Sequence, residues 1–167
     1  MKTYTKILLG VLILAVFLRF YRLMPNLPFN GEMGRDYMDI WGIIHGTRSF
    51  LIGPRTSHEW FFIAPIVYWI YTGLLYLVNY NPVIINYFYA VAGSSAVLVC
   101  YYYTKKLFNE KIALISSFLL ATSPAWIDQT RLSRYNLPAG IIFFPYIWYL
   151  KKSIGDKGKS LGILGFI

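Results

Sequence analysis

The chain is poor in the residues that build most soluble enzyme sites. Its 167 residues include one cysteine, two histidines and seven acidic residues. A single cysteine excludes an intrachain disulfide framework and any multi-cysteine metal site. Cys100 sits inside an apolar run and reads as a small buried hydrophobe. Charged residues make up only 14% of the chain against 57% apolar, too few to clothe a soluble globular domain. The scarcity of acid leaves a formal charge of +9, yet there is no long basic stripe of the kind that tracks a phosphate backbone. Nucleic acid is therefore not an expected partner. A small-residue cleavage site is also missing. Ile7 to Leu18 follow a basic start at Lys2 and Lys6 but run into Arg19-Phe20-Tyr21-Arg22, so the segment from about Tyr4 to Leu23 reads as an uncleaved membrane span.

What the chain has in abundance is aromatic residues: fifteen Tyr, twelve Phe and five Trp. Amphipathic rings settle at the headgroup layer of a bilayer, so this content fits a chain that meets that layer repeatedly. After the first span comes a loop rich in Pro, Gly and charge, from Met24 to Glu59. Apolar stretches follow at roughly Trp60 to Val78, Val83 to Thr104, Ile112 to Ile127 and Ala139 to Leu150, and another begins at Leu161. A lone strand in lipid leaves its backbone groups unpaired, so each stretch reads as helix and the fold class as an all-α polytopic membrane bundle. No internal repeat is present.

Every lysine falls in one of three clusters: Lys2 and Lys6; Lys105, Lys106 and Lys111; Lys151, Lys152, Lys157 and Lys159. Placing all three on the cytoplasmic side puts the 24–59 loop outside and requires Val83 to Thr104 to run inward. Parity then leaves no crossing for Trp60 to Val78, which reads as an interfacial or re-entrant helix; the alternative is a true span there. Two polar segments share the outer face: the long loop and Asp128 to Asn136. The last residues, Leu161 to Ile167, enter another apolar stretch without a polar anchor, which reads as a truncated product.

The densest polar cluster runs from Asn30 to Asp39. A helix from about Met33 puts Glu32, Arg35, Asp36 and Asp39 at three- and four-residue steps on one face. A carboxylate there suits a general base that takes a proton from a hydroxyl. Arg35, Arg131 and Arg134 suit phosphate, because a guanidinium meets its oxygens as a bidentate fork and keeps its charge. Gly53-Pro54-Arg55-Thr56-Ser57-His58-Glu59 is a turn-rich stretch in which His58 and Glu59 are candidate sugar or metal contacts. The bland readings stand beside these: a solvated helix with internal ion pairs, and arginines that touch headgroups.

Five segments in order resemble the N-terminal region of the GT-C glycosyltransferases related to protein O-mannosyltransferases and to the lipid A aminoarabinose transferase. They are Phe29 to Tyr37, Leu51 to Ser57, Ala64 to Trp69, Lys105 to Phe108, and Ser123-Pro124 through Ser133 to Pro138. The resemblance implies an enzyme of the inner or plasma membrane that moves a sugar, a hexose such as mannose or a related one. The donor would be a polyprenyl phosphate-linked sugar, the acceptor a lipid, glycan or protein, and the active face extracytoplasmic. Residues 1–167 would be the N-terminal part of the catalytic module, inactive alone, with 24–59 as its first external loop. The family's acidic residue in that loop corresponds to Glu32, with Asp36 as a rival. Phosphate or substrate contact would fall to Arg35, Arg55, His58, Glu59, Arg131, Arg134 and Asn136. Two departures stand out. Ala64 occupies the place of a lysine before the proline in the aminoarabinose enzyme, and Asn136 stands where some relatives have a second acid. Relatives differ in whether they need a divalent metal, and none is assigned. The competing expectation is a non-enzymatic membrane assembly protein or a transporter fragment; its weakness is that the span interiors carry almost no ionisable groups.

Overall fold

In the computed structural model, residues 3–24, 31–56, 58, 60–132 and 137–155 are described. Among them the chain forms seven α-helices: α1 (Thr3–Phe20), α2 (Gly31–Ile44), α3 (Ile66–Leu77), α4 (Val83–Leu107), α5 (Glu110–Thr122), α6 (Pro124–Arg131) and α7 (Leu137–Gly155). The only β pairing among the described residues is one isolated bridge, Arg55 with Phe62. The fold is the all-α membrane bundle expected from the apolar runs. Two helices, α1 and α4, are long and apolar enough to cross a bilayer. At ~1.5 Å per residue, the twelve residues of α3 reach only about 18 Å, well short of the ~30 Å hydrocarbon layer. The stretch expected to begin at Leu161 lies outside the described residues.

Two helix limits differ from the hydropathy reading, each for a local reason. The Trp60–Val78 stretch is helical only from Ile66. Trp60 turns the chain at φ 78°, Phe62 is held in the bridge to Arg55, and Pro65 stands at the N-cap of α3. The Ile112–Ile127 stretch is broken at Ser123. That residue leaves helical geometry at ψ 116°, its hydroxyl accepts from the Trp126 N–H, and Pro124 follows as the first residue of α6, where a missing N–H costs nothing.

The chain divides into two compact units, residues 1–21 with 89–167 and residues 22–88. In the first, the direction of each helix follows from its contacts. Arg19, fully buried near the end of α1, donates to the Ala15 carbonyl at 2.9 Å and to Ala121, near the end of α5, at 3.3 Å. Arg131, closing α6, donates to Leu18 at 3.3 Å. The late residues of α1 thus meet the late residues of α5 and α6. Against α5 and α6, α4 runs the other way. The Ser117 hydroxyl donates to the Val97 carbonyl, while the Trp126 indole, nine residues further on, donates to Gly93, earlier in α4. Val11, Ala15, Val97 and Ala121 form the buried apolar seam, flanked by Leu12 and Leu120. At Gly93 a Cβ would lie 2.3 Å from a Thr130 methyl; only glycine lets α4 and α6 meet there. Lys151 at the end of α7 donates to Leu107 at the end of α4, so α7 ends where α4 ends and α5 begins. Lys105, Lys106, Lys111, Lys151 and Lys152 consequently gather at one end of this unit.

Candidate functional site

The second unit is built on the polar helix the sequence places after α1. Helix α2 begins at Gly31, two residues before the expected start, with Glu32 in its first turn. It packs against α3. Its inward face mixes acid and apolar residues at helical spacing, because Asp36 and Ile40 are both buried, at 6% and 0% exposure. A buried carboxylate needs partners, and α2, its following loop and α3 supply them.

The partner from α3 is Tyr68, which is fully buried. Its hydroxyl oxygen lies 3.0 Å from Asp36 Oδ1 and 2.9 Å from Asp39 Oδ2. Arg35 donates to Asp36 Oδ1 from Nε and Nη2, at 3.3 and 3.1 Å. Arg48 pairs with Asp39 Oδ1, and its guanidinium carbon lies 5.9 Å from the centroid of the Tyr68 ring. Two carboxylates, two guanidinium groups and one phenol therefore fasten α2 to α3. Burial raises the Asp36 pKa above its ordinary 3.8, against the opposing hydrogen bonds from Arg35 and Tyr68. Burial also raises the Tyr68 pKa, with Asp36 and Asp39 adding to the effect, so the phenol stays protonated and remains a donor. Tyr37, on another side of α2, donates to the Pro82 carbonyl at 3.1 Å, and its pKa is pushed up to about 12 by burial and by Asp36.

Of the residues singled out from the sequence, Arg35 and Asp36 enter this network, and Asp39 joins them from the same helical face. Glu32 lies one turn before Asp36, is exposed, and has no ion pair among the described residues. Arg55 and His58 sit in the loop that approaches α3, with both residues exposed. That loop is held by Thr56, whose N–H and hydroxyl both donate to Phe61, and by the Ile63 N–H on Pro54. Gly53 allows the close approach, since a Cβ there would stand 2.1 Å from the Ile63 carbonyl oxygen. Arg131 belongs to the other unit, at the end of α6. Glu59, Arg134 and Asn136 lie outside the described residues. The sequence reading missed Arg48 and Tyr68. Among the described residues no group of three His, Cys, Asp or Glu side chains converges as a metal site would require.

Comparison with known proteins supplies what geometry alone does not. No curated protein and no solved structure matches the chain. The profile of one family matches residues 63–167, from just before α3 to the last residue, leaving Glu32 and its helix outside the matched range. Together with the two membrane-capable helices, that match makes the chain a membrane protein of a glycosyltransferase family. Since the match covers well over half of its length, the chain belongs to the dolichyl-phosphate-mannose-protein mannosyltransferase family.

Proposed function

We propose that this chain takes part in moving a sugar, mannose or a related hexose, from a polyprenyl phosphate to a hydroxyl of a lipid, glycan or protein acceptor, with Glu32 as the general base. The observation that carries this reading is the division of roles along α2. Asp36 and Asp39 are held by Tyr68, Arg35 and Arg48, whereas Glu32, one turn earlier, is exposed. A base must reach a substrate proton, and an exposed carboxylate on a fastened helix can do so. In the step itself, Glu32 takes the acceptor hydroxyl proton as that oxygen bonds to the sugar C1. The bond from C1 to the phosphate oxygen breaks, and the lipid phosphate leaves with the electron pair. Cations beside the leaving phosphate favour this separation of charge. Arg35 is half-exposed next to Glu32 and Arg55 is exposed, so these two are the candidates within this unit. Arg131, Arg134, His58 and Glu59 enter on the reading of the sequence, and Asn136 on the resemblance. The shared end of the lysines is assigned to the cytoplasm and the acidic loop to the opposite side of an inner or plasma membrane.

Asp36 is the second reading, favoured by its burial, which raises its pKa above the ordinary carboxyl value. Glu32→Gln and Asp36→Asn in the complete open reading frame separate the two. With Glu32 as base, Glu32→Gln lowers kcat for sugar transfer by 100-fold or more at unchanged membrane expression, in the ~10²–10⁴ range of general base catalysis. Asp36→Asn instead lowers activity and folded yield together. Transfer within about threefold of wild type in Glu32→Gln rejects the assignment. Loss of transfer in Asp36→Asn alone, with folded yield unchanged, moves the role to Asp36.

A further inference from the structure

The lysine end of the first unit has a geometry that topology alone does not require. Lys106, in the last turn of α4, lies with its ammonium 4.1 Å from the Tyr102 ring centroid, 4.7 Å from that of Trp148 and 5.7 Å from that of Tyr103. Lys152, in the last turn of α7, lies 5.5 Å from the same Trp148 ring. Two cations from two helices thus lie within cation–π range of one indole. Their neighbours are already engaged: Lys105 pairs with Glu110, and Lys151 donates to the Leu107 carbonyl at 3.1 Å. Lys106 and Lys152 have no carboxylate partner among the described residues, and both are exposed.

A ring quadrupole attracts each ammonium and solvent screens the repulsion between the two, while an anion that meets both converts that repulsion into attraction. The surroundings say which kind of anion. Tyr102 under Lys106, Tyr149 beside Trp148 and Phe108 under the neighbouring Lys151 are 52%, 43% and 65% exposed, at the end of a helix with the length and hydropathy of a membrane span. Aromatic faces next to paired cations at that depth suit an amphiphile, with its charged group on the lysines and its apolar part on the rings. We propose that Lys106 and Lys152, together with Trp148, form a binding site for one anionic phospholipid at the lysine end of the bundle. The phosphate sits between the two ammonium groups, and the glycerol and upper acyl chain lie against Tyr102, Phe108 and Tyr149. The site is separate from the transfer chemistry on α2 and stands whether or not Glu32 is the base.

The test uses the full protein purified in a zwitterionic detergent, with bound lipid counted by native mass spectrometry. The probes are phosphatidylglycerol, phosphatidylcholine and inorganic phosphate. Wild type is expected to retain one phosphatidylglycerol in preference to phosphatidylcholine. Lys106→Gln and Lys152→Gln should each reduce that preference about fivefold, the scale of one lysine at an anionic surface. Lys105→Gln, whose ammonium is held by Glu110, should leave it nearly unchanged. Because Lys106 and Lys152 are exposed, neither substitution removes core packing, and an unchanged melting profile in lipid-free detergent checks this. An undiminished preference in the double variant overturns the proposal. So does displacement of the lipid by millimolar inorganic phosphate, which would show a site for the anion alone. An equal loss in Lys105→Gln would show a diffuse charge effect and overturn it as well.

Discussion

Removing one oxygen atom tests how α2 is held. Tyr68→Phe keeps the ring in its fully buried place and deletes the hydroxyl that faces Asp36 at 3.0 Å and Asp39 at 2.9 Å. The phenol has a single proton, so it donates fully to one carboxylate at a time. The expected loss is therefore that of one hydrogen bond to a charged group, about 1.5–3 kcal/mol, and not two. Arg35 and Arg48 continue to neutralise the carboxylates, which limits the cost of leaving Asp36 at 6% exposure with one partner fewer. At about 2 kcal/mol, exchange of the α2 amides through local opening should accelerate roughly thirtyfold. Hydrogen exchange read by mass spectrometry measures this peptide by peptide, with α5 as an internal control. The same carboxyl sets a pH signature. The Asp36 pKa is raised on folding, so the folded form binds that proton more tightly than the unfolded one. Its contribution is complete below the ordinary 3.8 and is lost as pH rises through the raised value. In wild type the α2 protection should fall over that window, and Asp36→Asn should flatten the curve. The reasoning is refuted if Tyr68→Phe changes α2 exchange by less than about threefold. It is also refuted if Tyr68→Phe costs the same in the Asp36→Asn, Asp39→Asn background as in wild type, because coupled partners must show an interaction energy.

Two further outcomes are expected. Gly93→Ala puts a Cβ 2.3 Å from the Thr130 methyl and should destabilise the first unit by ~1–3 kcal/mol, seen as a lower melting temperature, with Thr130→Ala recovering part of the loss; an unshifted melt would show that α4 and α6 do not meet at this point. With Cys100 replaced by alanine, a cysteine at Gly34 should react with a membrane-impermeant maleimide in intact cells and one at Asn109 should not, and the reverse pattern would invert the assigned orientation.

The helical type of the apolar runs was legible because the bilayer leaves few choices: an apolar run between polar breaks has to pair its own backbone. Lysine clustering was legible for the same reason, and contacts that played no part in that reading bring the described lysines of α4, α5 and α7 to one end of their unit. Helix ends were less legible. Trp60, Phe61, Phe62 and Ile63 are as apolar as the helix that follows them, so hydropathy cannot separate the two. The separation lies in a positive φ at Trp60 and a backbone bridge at Phe62, neither of which has a period. The break at Ser123 was half legible. Ser-Pro announces a helix start, but an apolar sum over Ile112 to Ile127 passes straight through it, because a cap costs hydropathy almost nothing.

The site posed a harder problem of the same kind. Helical spacing puts Glu32, Arg35, Asp36 and Asp39 on one face and goes no further, because every carboxylate on a face is equivalent until its neighbours are known. Those neighbours are remote: Tyr68 is 32 residues from Asp36 and Arg48 is nine from Asp39. A composition that reads tyrosines as headgroup-layer residues also hides Tyr68, a buried donor. One local signal was available. Ile40 lies one turn after Asp36 in the sequence, and an apolar residue directly above an acid on a short amphipathic helix implies that the acid is buried too. A buried acid must be paired, and a paired acid is engaged by its partners. That order along the helix is why the proposal places the base at Glu32, the carboxylate nearest the helix start, where the apolar stripe has not yet begun.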